Sequence, residues 1–198
     1  MADQKTIAAY NGQVDTYLKM VGELDVDPIL LRFIDRLKVS DYVLDLGCGP
    51  ALASAVMRDK GLCVDPVDAA EAMVKLANDK FNIGARQAQF SDIDATEIYH
   101  GVWANFSLLH AQPQDLAAIL LALHRALKPQ GVLHLGMKLG QGSKRDKYGR
   151  YYAYYSQAEF EAHLKGAGFS IEHIELGEAL GLSLIPISVP TSTAEIPY

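Results

Sequence analysis

Cysteine, tryptophan, long apolar runs and an excess of one charge are all scarce in this chain of 198 residues. Cys48 and Cys63 are the only cysteines. Two thiols cannot build a disulfide framework, and without a paired C-x-x-C they do not make a zinc site. A reducing cytoplasm is the compartment this usage implies. His124, His163 and His173 show no metal-ligand spacing with the cysteines or with one another, so no metal is expected. The net charge of −6 and pI near 5.5 give no general attraction to phosphate backbones or acidic lipid heads, and nucleic acid is not the expected partner. No apolar run approaches a bilayer span, and MADQKTIAAY has neither the basic flank nor the apolar stretch of a secretion leader. A soluble protein that does not engage membranes is expected. What the chain does have is apolar residues, 49% of the total, enough to bury one core. With no repeat, low-complexity tract or long linker, a single domain over residues 1–198 follows.

The apolar residues are distributed in alternating patterns. Asp27-Pro28 caps and opens a helix over ILLRFIDRL. DYVLDLG is short, apolar and closed by glycines, which reads as a buried strand, and PALASAVMRDK reads as a helix starting at Pro50. GLCVDPV repeats the strand, and Asp68 with Glu71 forms a cap-like opening for AAEAMVKLANDKF. ARQAQF and GVWANFSLL are the next strand candidates. Pro113 opens an amphipathic helix that Pro129-Gln130-Gly131 stops, and VLHLGMK is a fifth strand. Ser156 and Glu159 form a capping box, after which FSIEHIELG and GLSLIPISV read as a hairpin joined through Gly177 and Gly181. Strands alternating with helices predict an α/β, doubly wound sheet: seven strands, mostly parallel with an antiparallel C-terminal strand, and helices on both faces.

In such sheets ligands bind beyond the carboxyl ends of the strands, where a glycine turn lets the backbone come close. VLDLGCGPALAS supplies that turn at Gly47 and Gly49. Leu52 stands where a dinucleotide fingerprint needs a small residue, and no lysine appears until Lys60, so neither a dinucleotide nor a triphosphate fits. Asp45 at the mouth of the turn would repel a phosphate and attract an ammonium or sulfonium. Asp65, sixteen residues past Gly49 and at the end of the second strand, is placed to accept ribose hydroxyls. The implied ligand is a nucleoside with a cationic tail.

VLDLGCGPA, CVDPVDAAEAM, VWANFSLLH and LKPQGVLHLGMK resemble, in order, the motifs of class I S-adenosylmethionine-dependent methyltransferases, over roughly residues 40–180. The resemblance implies that Asp45, Gly47, Cys48 and Gly49 surround the methionine end of S-adenosylmethionine, and that Asp65 with Pro66 holds the ribose. Gln89 and Phe90 would flank the adenine, with Asp92 taking that role in a shifted register, and Ala104 and Asn105 would close the pocket. AAYNGQVDTYL is similar to the N-terminal lid helix of small-molecule members, which sets Tyr10 or Tyr17 over the ligand. The chain then divides into an N-terminal helical lid (1–39), a cofactor-binding core (40–139) and a substrate side (140–198) made of an open loop that holds the basic, tyrosine-rich stretch, a helix and the C-terminal hairpin.

Methyl transfer from a sulfonium is an in-line displacement, so alignment and exclusion of water supply most of the catalysis. GSKRDKYGRYYAYYS, after the fifth strand, combines basic residues with tyrosines and suits an anionic or aromatic small molecule, with S-adenosylhomocysteine as the other product. Arg150 is the expected principal anchor, joined by Lys138, Tyr10, Tyr151 and Tyr152. His110, just past the fourth strand, is the candidate general base; a loop-capping histidine is the plainer alternative. His134, inside a strand, reads as a satisfied core residue. Cys48 at a helix start reads as packing, not as a nucleophile. Two rivals stand beside this: methylation of RNA or protein, with Lys144–Arg150 as a phosphate patch, and a non-catalytic module that binds the nucleoside.

Overall fold

The structure is a computed structural model that describes residues 3–12, 27–176 and 182–188. Its elements run in the order α1 (Gln4–Gly12), α2 (Pro28–Ile34), β1 (Tyr42–Leu46), α3 (Leu52–Asp59), β2 (Cys63–Asp68), α4 (Glu71–Phe81), β3 (Arg86–Gln87), β4 (Tyr99–Asn105), α5 (Pro113–Ala126), β5 (Leu127–Lys138), β6 (Ser143–Arg145), β7 (Tyr151–Ala153), α6 (Gln157–Gly166), β8 (Glu175–Leu176) and β9 (Leu182–Ser188). Single 3-10 turns at Phe90–Asp92 and Leu108–His110 follow β3 and β4.

Seven strands form one sheet in the order β3-β2-β1-β4-β5-β9-β8. The pairs from β3 to β5 are parallel, and β9 runs antiparallel to both β5 and β8. The expected sheet and its antiparallel C-terminal strand pair are therefore present; the link through Gly177 and Gly181 lies outside the described residues. Alternation along the strands sorts the core. Leu44, Leu46, Val67, Val102, Leu133 and Leu135 face α5 and α6, which contribute Leu116, Leu120, Leu123, Phe160 and Leu164. Val43, Trp103 and Val132 face the other way, toward Leu30, Phe33 and Ile34 of α2 and Met57 of α3. Each fully buried Leu or Phe here contributes about 1.5–3 kcal/mol.

Three local features depart from the sequence reading. Pro129–Gly131 does not separate helix from strand: α5 passes straight into β5, and the stretch lies within β5, with Gln130 at φ 66°. Asp68 does not cap α4; it ends β2, and Ala70 is the N-cap residue, although Asp68 Oδ1 accepts the Ala70 N–H at 2.8 Å. The basic, tyrosine-rich stretch is not an open loop but the β6–β7 hairpin. Its turn is built by Asp146, whose carboxylate accepts the Tyr148 N–H at 2.9 Å, the Arg150 N–H at 3.0 Å and the Arg150 guanidinium at 2.7 Å, while Gly149 supplies φ 84°.

The α1 helix lies against this hairpin. Arg145 grips both oxygens of Asp3 at 2.7 Å, the Tyr151 N–H donates to Thr6 Oγ1 at 2.8 Å, and the Ala72 N–H at the start of α4 donates to Asn11 at 3.0 Å. The Arg145 guanidinium holds the Asp3 carboxyl far below the usual carboxylate range.

Candidate active site

The strands β1, β2, β4 and β5 all end at one edge of the sheet. At that edge the glycine turn is fixed by main-chain bonds: the N–H groups of Gly47 and Cys48 donate to Val67 O at 2.8 and 2.9 Å, and that of Ala51 donates to Cys48 O at 2.9 Å. The Gly49 N–H donates to Asp68 Oδ2 at 2.9 Å. These donors are consumed, so the turn is not an anion cradle of the kind built from free N–H groups. Gly47 and Gly49 have φ 77° and 53°, and Ala51 carries φ 59° at the start of α3. A Cβ on Gly47 would lie 2.4 Å from Ser107 Cβ, so the segment that follows β4 closes directly onto the turn.

Two carboxyls surround this turn. Asp45 is buried, its Oδ2 accepting the Ser54 hydroxyl at 2.6 Å. Burial pushes its pKa up to about 7, the neighbouring Asp68 adds to the rise, and the Ser54 bond opposes it. Burial also raises Asp68, against its bonds from Ala70, Gly49 and Ala69. Among the described residues neither acid has a Lys or Arg within ion-pair distance. Burial and these carboxylates push the Cys48 thiol well up, which makes it a packing residue, as its sequence context implies. Ser107 Oγ is buried without a hydrogen-bond partner. An orphaned hydroxyl, two acids lacking a cation and a bare turn fit an adenosine carrying a cationic methionine tail.

Asp65 lies elsewhere. It stands mid-strand on the opposite face of β2 from Asp68, accepts the Arg86 guanidinium at 2.9 and 2.7 Å and bonds the Tyr99 hydroxyl. Despite its burial these partners lower its pKa. Pro66, beside Asp45 in register, is likewise interior to the strand. Both residues differ from their expected place at a ribose: their strand continues past them to Asp68. Tyr99→Phe removes a bond to an ionised carboxylate and should cost about 1.5–3 kcal/mol of stability, measured by urea unfolding.

Ala104 and Asn105 also depart from expectation. Ala104 is in the core, and Asn105 Oδ1 accepts from His134 Nε2 at 3.2 Å. That bond sets the tautomer of His134, which stacks on Trp103 at 3.8 Å and is kept neutral by burial, its pKa lowered to about 3. Nδ1 of His134 has no partner, so this core histidine is only half satisfied. Ser107 takes the place next to the glycine turn. Gln89 caps the 3-10 turn and donates its N–H to Asp92 Oδ2 at 2.8 Å, and Phe90 packs against the main core. Tyr17 lies outside the described residues.

Beside the turn sits a second cluster. The His110 Nδ1–H donates to Tyr151 O at 2.6 Å, which leaves Nε2 as the acceptor of the Tyr10 hydroxyl at 2.9 Å. Burial lowers the His110 pKa to about 4; the Tyr151 bond opposes this, and Arg150 reinforces it. Tyr152 meets the His110 ring edge-on at 4.8 Å. Arg150 lies 5.4 Å from the Tyr10 ring and 5.6 Å from that of Tyr152, but its charge is spent on Asp146 at 2.7 Å. The expected principal anchor is thus already paired, which sequence alone did not reveal. Lys138 Nζ lies 4.6 Å from the centre of Tyr152. The turn from Ser107 to His110 joins the two clusters. Among the described residues no group of side chains suits a metal, and no helix is long and apolar enough to cross a membrane.

Residues 43–131 match a family model described as a methyltransferase domain. Over 141 residues the chain is 28% identical to the ubiquinone biosynthesis O-methyltransferase of Idiomarina loihiensis, covering 65% of this chain and 58% of that one. Over 95 residues it is 32% identical to the malonyl-(acyl-carrier protein) O-methyltransferase of Salmonella typhimurium, covering 46% and 36%. The chain spans about half the length of the curated relatives it matches. Among solved structures it is similar to the 1,6-didemethyltoxoflavin-N1-methyltransferase of Burkholderia thailandensis, a complex with 1,6-didemethyltoxoflavin and S-adenosylhomocysteine. The TM-score is 0.76 at 18% identity, over 94% of this chain and 87% of that one. At that identity the likeness concerns the fold.

Proposed function

We propose that this chain, whose residues 43–131 match a methyltransferase-domain model, is a class I S-adenosylmethionine-dependent methyltransferase that methylates a small molecule. The observation that carries this reading is the pair of acids, buried Asp45 and half-buried Asp68, around a turn whose N–H groups from Gly47 to Gly49 are spent. Such a berth rejects phosphate and favours a cation. S-adenosylmethionine, when bound, supplies an electrophilic methyl on sulfur.

In this proposal Asp45, with Gly47, Cys48 and Gly49, receives the methionine end, Ser107 Oγ finds its partner there, and Asp68 rather than Asp65 takes the ribose hydroxyls. The adenine lies toward the 3-10 turn of Gln89, Phe90 and Asp92. His110, neutral and with Nε2 as acceptor, takes the proton of an acceptor whose hydroxyl or amine replaces that of Tyr10. Helix α1 excludes water from this side. A macromolecular acceptor is less well supported, since Arg145 and Arg150 of the basic stretch are paired with Asp3 and Asp146; failure to be retained on heparin is expected.

Saturable binding of S-adenosylhomocysteine in calorimetry, with its formation from S-adenosylmethionine in the presence of a metabolite extract, tests the proposal. Binding without turnover in any extract would favour the nucleoside-binding module, and no binding at all would overturn both.

The pH dependence follows from Asp45. A carboxyl raised to about 7 in the fold binds a proton that the unfolded chain releases near 4, so between these values stability falls as pH rises. Its ionised form attracts the cationic ligand, so binding below pH 7 expels that proton. Affinity for S-adenosylmethionine should rise about eightfold from pH 5.5 to 6.5, about threefold more to pH 7.5, and then level. Asp45→Asn should flatten the profile in calorimetric titrations.

A further inference from the structure

The β6–β7 hairpin carries a charge asymmetry that the proposed reaction does not use. Arg145 is matched by Asp3 and Arg150 by Asp146, each at 2.7 Å. Lys138, the last residue of β5, is half-buried at the sheet edge that holds the glycine turn, and among the described residues it has no carboxylate within ion-pair distance. Its Nζ lies instead over the Tyr152 ring, 4.6 Å from the centre. An ammonium withdrawn from water without an anion is costly, and a ring face offsets only part of that cost. Burial, with Arg150 and Lys144 nearby, lowers the Lys138 pKa, while Asp146 opposes the shift.

The surroundings of this cation are aromatic and flat. Tyr152 and Tyr154 lie nearly parallel, 25° apart with centroids at 6.3 Å, and Lys144 Nζ is 5.1 Å from the Tyr154 ring. Tyr152 also touches the His110 ring, so the unpaired cation and the candidate base share one tyrosine. We infer that the acceptor is a planar aromatic acid whose carboxylate pairs with Lys138, and that Lys138, in place of Arg150, is the residue that selects for its charge. This rests on the methyltransferase reading for the reaction, but the binding preference is a property of the chain's own residues. With Arg150 held by Asp146, a docked carboxylate meets an ammonium that has no competing partner, and tyrosine rings pack against its plane.

The experiment uses 4-hydroxybenzoate and 4-hydroxybenzamide as probes with the full chain, without donor, followed by NMR of isotope-labelled protein. The acid should bind saturably at least tenfold more tightly than the amide and shift the Lys138 side-chain resonance. Lys138→Met should remove that preference, and Arg150→Met should leave a preference of at least fivefold. Equal binding of acid and amide, no binding of either, or an acid preference that survives Lys138→Met would overturn the inference. S-adenosylhomocysteine affinity, measured on the same samples, separates the two levels. Retained in Lys138→Met, it certifies a folded cofactor site, so a probe failure falls on this inference alone; lost in the unmodified chain, it falls on the methyltransferase reading instead.

Discussion

Gly47→Ala is expected to destabilise the protein by about 2–5 kcal/mol and to remove measurable binding of S-adenosylhomocysteine. Two independent costs combine. The residue sits at φ 77°, where a side chain costs about 1–2 kcal/mol, and the new methyl would meet Ser107 Cβ at 2.4 Å, an overlap worth a further 1–3 kcal/mol. The steric part has a specific remedy. Ser107→Gly in the same chain deletes the obstructing Cβ and should recover about half of the loss in urea unfolding, whereas Ser107→Ala keeps that atom and should recover nothing. A Gly47→Ala protein with an unchanged unfolding midpoint would show that the segment after β4 does not close on the turn. The glycine is therefore explained less by free N–H groups for a ligand, all of which are spent, than by the close approach of β1 and β4 at the point where the ligand enters.

The strand, turn and helix around Gly47 were legible in the sequence because the cues are local: an apolar run, glycines, and a change of periodicity from strand to helix. The choice between two acids in one strand was not. CVDPVD places Asp65 and Asp68 three residues apart, hence on opposite faces, and Pro66 suggests a strand that stops early. The strand runs on because β3 pairs only with Val67 and Asp68, leaving Pro66 beyond that pairing, and because the Val67 carbonyl collects two N–H groups of the glycine turn. Arg86 and Tyr99, which claim Asp65, come from other strands, so their claim depends on register that no local pattern encodes. The same holds for His110, which meets Tyr10 one hundred positions away in the chain and whose imidazole tautomer is fixed by the carbonyl of Tyr151. Arg150 illustrates the reverse error. Its partner Asp146 is close in sequence, but the pairing depends on the turn that forms the β6–β7 hairpin, and a stretch read as an open loop gave no reason to pair them.

Asp68→Ala should weaken S-adenosylhomocysteine binding by about 2–4 kcal/mol, on the order of 30- to 1,000-fold, through loss of an ionised acceptor for the ribose hydroxyls. The variant also leaves the Gly49 and Ala70 N–H groups without their acceptor, so part of the effect runs through the turn. Asp68→Asn separates these contributions: its amide oxygen can still accept one of the two N–H groups, while the carboxylate that favours hydroxyl donors and the cationic tail is gone, so affinity should remain at least tenfold down with the unfolding midpoint only partly restored. Asp65→Asn is the control that decides the register. Its carboxylate is committed to Arg86 and Tyr99, so stability should fall while calorimetric affinity stays within about threefold of the unmodified chain. Loss of affinity in the Asp65 variant with binding intact in both Asp68 variants would return the ribose to Asp65. It would also require a ligand on the sheet face that α5 and α6 cover, a face already filled by Leu116, Leu120 and Phe160.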